Sequence, residues 1–121
     1  MLRGMTTPTT SPTIFSLKVH SASHILENQA KLAEWLGVSR SQATRWASGE
    51  TTPSLAAQRA ITDLEFITAR ARMVWDEEVV ADWLVGPNAF LAGATPLEMI
   101  RRNKTSEVLE AIVSDEIGVY A

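Results

Sequence analysis

The sequence predicts an all-α fold: two helical lobes joined by one long helix. Three observations predict it. From Gln29 to Gly49 apolar residues recur near every 3.6 positions and break once, at Gly37-Val38-Ser39. From Leu55 to about Trp75 a broader apolar stripe runs with no Gly or Pro in it. Beyond that stripe, helix-start signals alternate with Gly stops, as in Asp76-Glu77-Glu78, Pro87-Asn88 and Thr95-Pro96-Leu97-Glu98. The boundaries that follow are a tail at 1–13, a helical region at 14–54, a connecting helix at 55–76 and a C-terminal lobe at 77–121.

Residues 1–13 are rich in Thr, Ser and Pro and are expected to be disordered. Between Ile14 and Leu26 the apolar content rises. A leading helix is expected over Ser21 to Glu27, while the residues before it fit strand or helix. His20 and His24 stand at helical i, i+4 spacing. With no third His and no Cys, they read as surface or core residues rather than metal ligands.

The next segment is the most informative. Ala30, Leu32, Ala33 and Leu36 give a short helix its apolar face. Gly37 follows, where a left-handed residue is wanted and only Gly is free of steric cost. Val38 plugs the turn and Ser39 is a good N-cap. Ala43, Trp46 and Ala47 form one side of a second helix, and Gly49 ends it. Arg40, Ser41, Gln42, Thr44 and Arg45 remain at its start and on its outer face. In a DNA-binding helix-turn-helix, residues so placed meet base edges in the major groove. Arg pairs with guanine, Gln with adenine and Ser with either. An ordinary helical hairpin is the plainer reading, and the coincidence of these residue types favours the DNA-binding one.

Thr51-Thr52-Pro53-Ser54 is a turn followed by a cap. The long helix then carries Leu55, Ile61, Leu64, Ile67 or Thr68, Ala71, Val74 and Trp75 on or near one stripe, with Phe66 and Met73 off it. So wide a stripe suits a helix that connects two lobes or pairs with itself in a dimer. In the next helix Glu77 and Glu78 suit the positive helix end, and Val79, Val80, Trp83 and Leu84 face inward. Gly86-Pro87-Asn88 breaks that helix and caps a one-turn helix that Gly93 ends. Thr95 is an N-cap, Pro96 the first helical residue, and Glu98 stands at the capping-box position. The last helix starts at Thr105-Ser106, turns Val108, Leu109, Ile112 and Val113 inward, and closes at Gly118. Val119-Tyr120-Ala121 remain as an uncharged tail, suited equally to a partner's pocket or to folding back on its own lobe.

Composition bounds the function. The chain has 121 residues, no Cys and four Trp. It can bury a real core, and thiolate metal sites and disulfides are excluded. No apolar run approaches a membrane span, and a soluble, cytoplasmic protein is expected. Net charge is −3 but unevenly spread. Residues 1–49 hold five Lys and Arg against two Glu, whereas residues 76–121 hold three basic against nine acidic residues. The basic end carries the DNA-binding pattern, and the acidic end would repel phosphate. No nucleophile elbow, phosphate loop or metal set is present, so neither enzymatic activity, nor a cofactor, nor a metal is expected.

Two resemblances sharpen this reading. Gln29, Ala33, Leu36-Gly37-Val38-Ser39, Arg45-Trp46, Gly49 and Pro53 resemble the pattern of the Xre (Cro-like) helix-turn-helix family. That resemblance implies that Gln29 holds a phosphate, that Arg40 and Ser41 face bases, and that Gln42, Thr44 and Arg45 assist. With Ser39 these are the candidate DNA-binding residues. Trp83-Leu84, Pro87-Asn88, Leu91, Gly93, Pro96-Leu97, Val108-Leu109, Ile112, Gly118 and Tyr120 resemble the toxin-binding domain of the MbcA/ParS/Xre antitoxin family. One departure is Leu91-Ala92-Gly93 where that family often has Leu-Gly-Gly. The resemblance implies a partner toxin of the RES-domain type that degrades NAD, whose site the antitoxin's C-terminal end occludes. It also implies a homodimer or higher toxin–antitoxin assembly that binds its own promoter DNA. Trp83, Pro87, Asn88, Gly118, Val119, Tyr120 and Ala121 are the candidate toxin-binding residues. The alternative is a stand-alone dimeric repressor whose C-terminal half senses a ligand or oligomerises.

Overall fold

The computed structural model describes residues 13–119. The expected disorder of the first twelve residues, and the placement of Tyr120 and Ala121, lie outside them. The described residues are helical with no strand. In order they form α1 (Ile14–Ile25), α2 (Gln29–Leu36), α3 (Arg40–Ser48), α4 (Leu55–Arg72), α5 (Glu77–Val85), a 3-10 turn (Ala89–Leu91), α6 (Pro96–Arg101) and α7 (Thr105–Val119). They divide into two compact units, with the division inside α4 between Ile61 and Thr62.

In the first unit α1, α2 and α3 pack against one another. The core holds Val19, Ala22, Leu32, Ala33, Ala43 and Trp46, all nearly inaccessible. Trp46 is the largest of them, and emptying a buried Trp site costs about 3–5 kcal/mol. From the α4 side Ala57, Ala60 and Ile61 are buried in this unit.

The leading helix is longer than the sequence suggests and begins at Ile14 rather than Ser21. Its start is a reciprocal cap: Thr13 Oγ1 accepts from the Ser16 amide at 3.0 Å, and the Thr13 amide donates to Ser16 Oγ at 2.9 Å. Thr13 therefore belongs to the helix cap and not to the tail. The helix stops at Leu26 and Glu27, the latter in the left-handed region at φ 86°.

In the second unit α5 packs on α6, α6 on α7, and the 3-10 turn on α7. The buried residues of α4 here are Leu64, Ile67, Thr68 and Ala71, joined by Val80, Leu84, Ile100, Val108, Ala111 and Ile112. Thr105 Oγ1 donates to Asp63 Oδ2 at 2.8 Å and ties the start of α7 to α4. The rings of Trp75 and Trp83 stand 5.4 Å apart and tilted by 41°, a favourable aromatic geometry.

Several expectations are corrected. α4 ends at Arg72, and residues 73–75 form a turn rather than a further helical stretch. Leu55 is 82% exposed, because small Ala57 and Ala60 occupy the inner face of the first two turns instead. Val79 and Val113 are also exposed, and Ala111 takes the inward place assigned to Val113. The chain turns out of the 3-10 helix through Ala92 at φ 60° before it reaches Gly93 at φ 91°. Thr95 caps α6 as expected, accepting from the Glu98 amide at 3.0 Å. The Glu98 carboxylate, however, faces Arg101 at 3.2 Å and Arg102 at 3.9 Å instead of closing the box. Gly118 does not end α7, which runs on to Val119.

Candidate functional site

Two surfaces carry the candidate residues, one in each unit. The first is built by α2, the turn and α3. Asn28 caps α2, its side chain accepting from the Lys31 amide at 2.8 Å. Gly37 makes the turn at φ 72°, and no neighbouring atom crowds its Cβ position, so conformation alone calls for Gly there. Ser39 then caps α3, accepting from the Gln42 amide at 3.1 Å. Ser39 Oγ and Ser41 Oγ are 3.2 Å apart. Gly49 ends α3 in the left-handed region at φ 83°.

With Ala43, Trp46 and Ala47 turned into the core, α3 presents Arg40, Ser41, Gln42, Thr44 and Arg45 to solvent, all exposed. Sequence periodicity places every one of these correctly. The Thr44 hydroxyl lies 3.0 Å from Gln29 Oε1 and 2.9 Å from the Arg40 carbonyl, so its one hydrogen serves one of them at a time. Gln29 thus sits beside α3, with its amide group oriented across the hairpin. His20 Nε2 lies 3.1 Å from the Ala47 carbonyl and ties α1 to the end of α3. That contact gives His20 a structural role. Among the described residues no group of three or more His, Cys, Asp and Glu could hold a metal ion.

The second surface surrounds the end of α7. Asn88 is buried and uses its polar groups heavily. Its side-chain oxygen accepts from the Phe90 amide at 2.9 Å, its amide donates to the Ala94 carbonyl at 3.0 Å, and its carbonyl accepts from the Leu91 and Gly93 amides. Asn88 Nδ2 donates to Asp115 Oδ2 at 3.2 Å. Trp83 Nε1 donates to the same oxygen at 2.8 Å. Two of the candidate partner-binding residues are therefore bonded inside their own unit. Pro87 and Gly118 are near or fully at the surface, and a side chain at position 118 would meet open space. Val119 is the last residue of α7, while Tyr120 and Ala121 are outside the described residues.

Asp115 is the residue that sequence reasoning missed. It belongs to an acidic run on a solvated-looking helix, and nothing local marks it as the member that faces Trp83 and Asn88.

No family model and no curated protein matches this chain. Among solved structures, a chain of the crystal structure of the M. tuberculosis MbcT-MbcA toxin-antitoxin complex is similar, with a TM-score of 0.70. The match is 19% identical and covers 90% of this chain and 99% of that chain. At that identity the likeness establishes a shared all-α fold over nearly the whole length of both chains. No helix of the described residues is long and apolar enough to cross a membrane.

Proposed function

We propose that this chain is the antitoxin of a type II toxin–antitoxin pair. It binds a RES-domain toxin that degrades NAD, covers that enzyme's active site with its C-terminal end, and represses its own promoter through α2 and α3. The observation that carries the reading is the fold likeness to a chain of a toxin–antitoxin complex, over 90% of this chain and 99% of that one. The antitoxin-type motif at residues 83–120 supports it from the sequence side.

The exposed face of α3 supports the DNA-binding half. One helix reads three or four bases at about 1–3 kcal/mol per good contact. Repressor-level discrimination then calls for a homodimer on two half-sites roughly 34 Å apart. Arg40→Ala is expected to weaken operator binding and relax base preference while neutralisation of the toxin survives. A mobility-shift assay with unchanged sequence preference would refute this.

The test of the antitoxin reading is co-purification. This chain is expressed with the product of its neighbouring gene, one of the two is tagged, and the complex is weighed. A tight complex is expected, as is its loss together with toxin neutralisation when residues 119–121 are deleted. No complex, with the chain running alone as a dimer that shifts its promoter, would replace the reading with that of a stand-alone repressor.

A further inference from the structure

From Val113 to Gly118, α7 has no buried residue to hold it. Among the described side chains of this helix, the buried residues Val108, Ala111 and Ile112 all lie in its first eight positions. From Val113 to Gly118 no residue is buried, and Ile117 is 63% exposed. A helical stretch with an exposed Gly and no buried residue from 113 to 118 frays there unless something else holds it.

What holds it is polar. Asp115 Oδ2 receives both the Trp83 Nε1 hydrogen at 2.8 Å and an Asn88 Nδ2 hydrogen at 3.2 Å. Hydrogen bonds to an ionised carboxylate are roughly twice as strong as neutral ones. Both donors are themselves fixed. Trp83 is half-buried and lies against Trp75. Asn88 is pinned by the turn it caps. Arg70 also reaches Glu116 on this stretch at 3.8 Å, a long and partly exposed pair that contributes little.

We propose that Trp83, Asn88 and Asp115 form a latch that positions the last two turns of α7, and so presents the C-terminal end to the partner protein. What docks there rests on the antitoxin reading. Trp83 has one donor and spends it on Asp115, so within this latch Trp83 and Asn88 are positioning residues rather than contacts to the partner.

The test uses the full chain with Trp83→Phe, Asp115→Ala, the double variant and Asp115→Asn. Amide hydrogen exchange is followed in the free chain, and affinity is measured for the co-expressed neighbouring gene product. Trp83→Phe keeps an aromatic ring beside Trp75 and removes the donor together with part of the indole. Asp115→Asn keeps an accepting oxygen and should preserve most of the binding. Trp83→Phe and Asp115→Ala should each speed exchange at residues 114–118 while residues 108–112 stay protected. Asp115→Ala should also weaken partner binding by about tenfold and Trp83→Phe by less, and the double variant should do no worse than Asp115→Ala, which already removes the Trp83 bond together with the Asn88 bond. Losses that multiply in the double variant would mean that Trp83 touches the partner directly, and would overturn the latch. Unchanged exchange at residues 114–118 would overturn it as well. If the wild-type chain binds no neighbouring product, the antitoxin reading fails, and exchange alone decides whether the latch exists.

Discussion

Thr68 lies in the buried stripe of α4 with 1% of its surface accessible, and its hydroxyl oxygen meets no hydrogen-bond partner. A hydroxyl buried without a partner costs about 1–3 kcal/mol. Thr68→Val, which trades that hydroxyl for a methyl group of similar shape, is expected to raise stability by about 1 kcal/mol in urea denaturation. A lower midpoint would show that the hydroxyl is satisfied. Ala92 poses a related problem in the backbone. A left-handed Ala costs about 1–2 kcal/mol, part of which Gly returns through its freer unfolded state. Ala92→Gly should therefore stabilise the chain by roughly 0.5 kcal/mol in the same assay, and a destabilised variant would contradict the argument from φ 60°.

At the scale of single elements, α3 depends on its two ends more than on its composition. Six of its nine residues are exposed, so packing acts only through Ala43, Trp46 and Ala47. Ser39→Ala removes the bond to the Gln42 amide and should cost about 1 kcal/mol of stability. Thermal unfolding would show this, and an unchanged melting temperature would mean that solvent caps the helix equally well. The same element shows why much of the fold was legible: Gly37, Ser39 and Gly49 each act locally, within four residues of themselves. α1 was less legible for the opposite reason. Its apolar residues do not follow one stripe, and its cap uses Ser16 where Glu or Gln is the familiar partner of Thr. The exposed Leu55 and Val79 were misplaced because a helical period identifies a face only to within about a residue, and small Ala residues compete for the inner position.

For the whole molecule, charge is the property that separates the two ends. A chain of net charge −3 binds duplex DNA only where its cations gather, and residues 1–49 hold five of the eleven Lys and Arg. The proposed operator complex would then make few phosphate contacts. Operator affinity should fall on the order of tenfold to a hundredfold between 50 and 200 mM salt, less than for a broadly basic protein. Salt-independent binding would exclude phosphate contacts altogether. The candidate DNA face was legible because one short helix displays it. The latch was not, because Asp115 stands 27 and 32 residues from the groups it joins, and no periodic signal links positions that meet only when the second unit closes. The ending of the α7 core at Ile112 bears on turnover. A cellular protease that trims the chain back to that residue removes none of the buried residues among those described. The remnant would keep α3 on display while losing the end proposed for the partner, so one cut would separate the two proposed activities in a single molecule and give them different lifetimes.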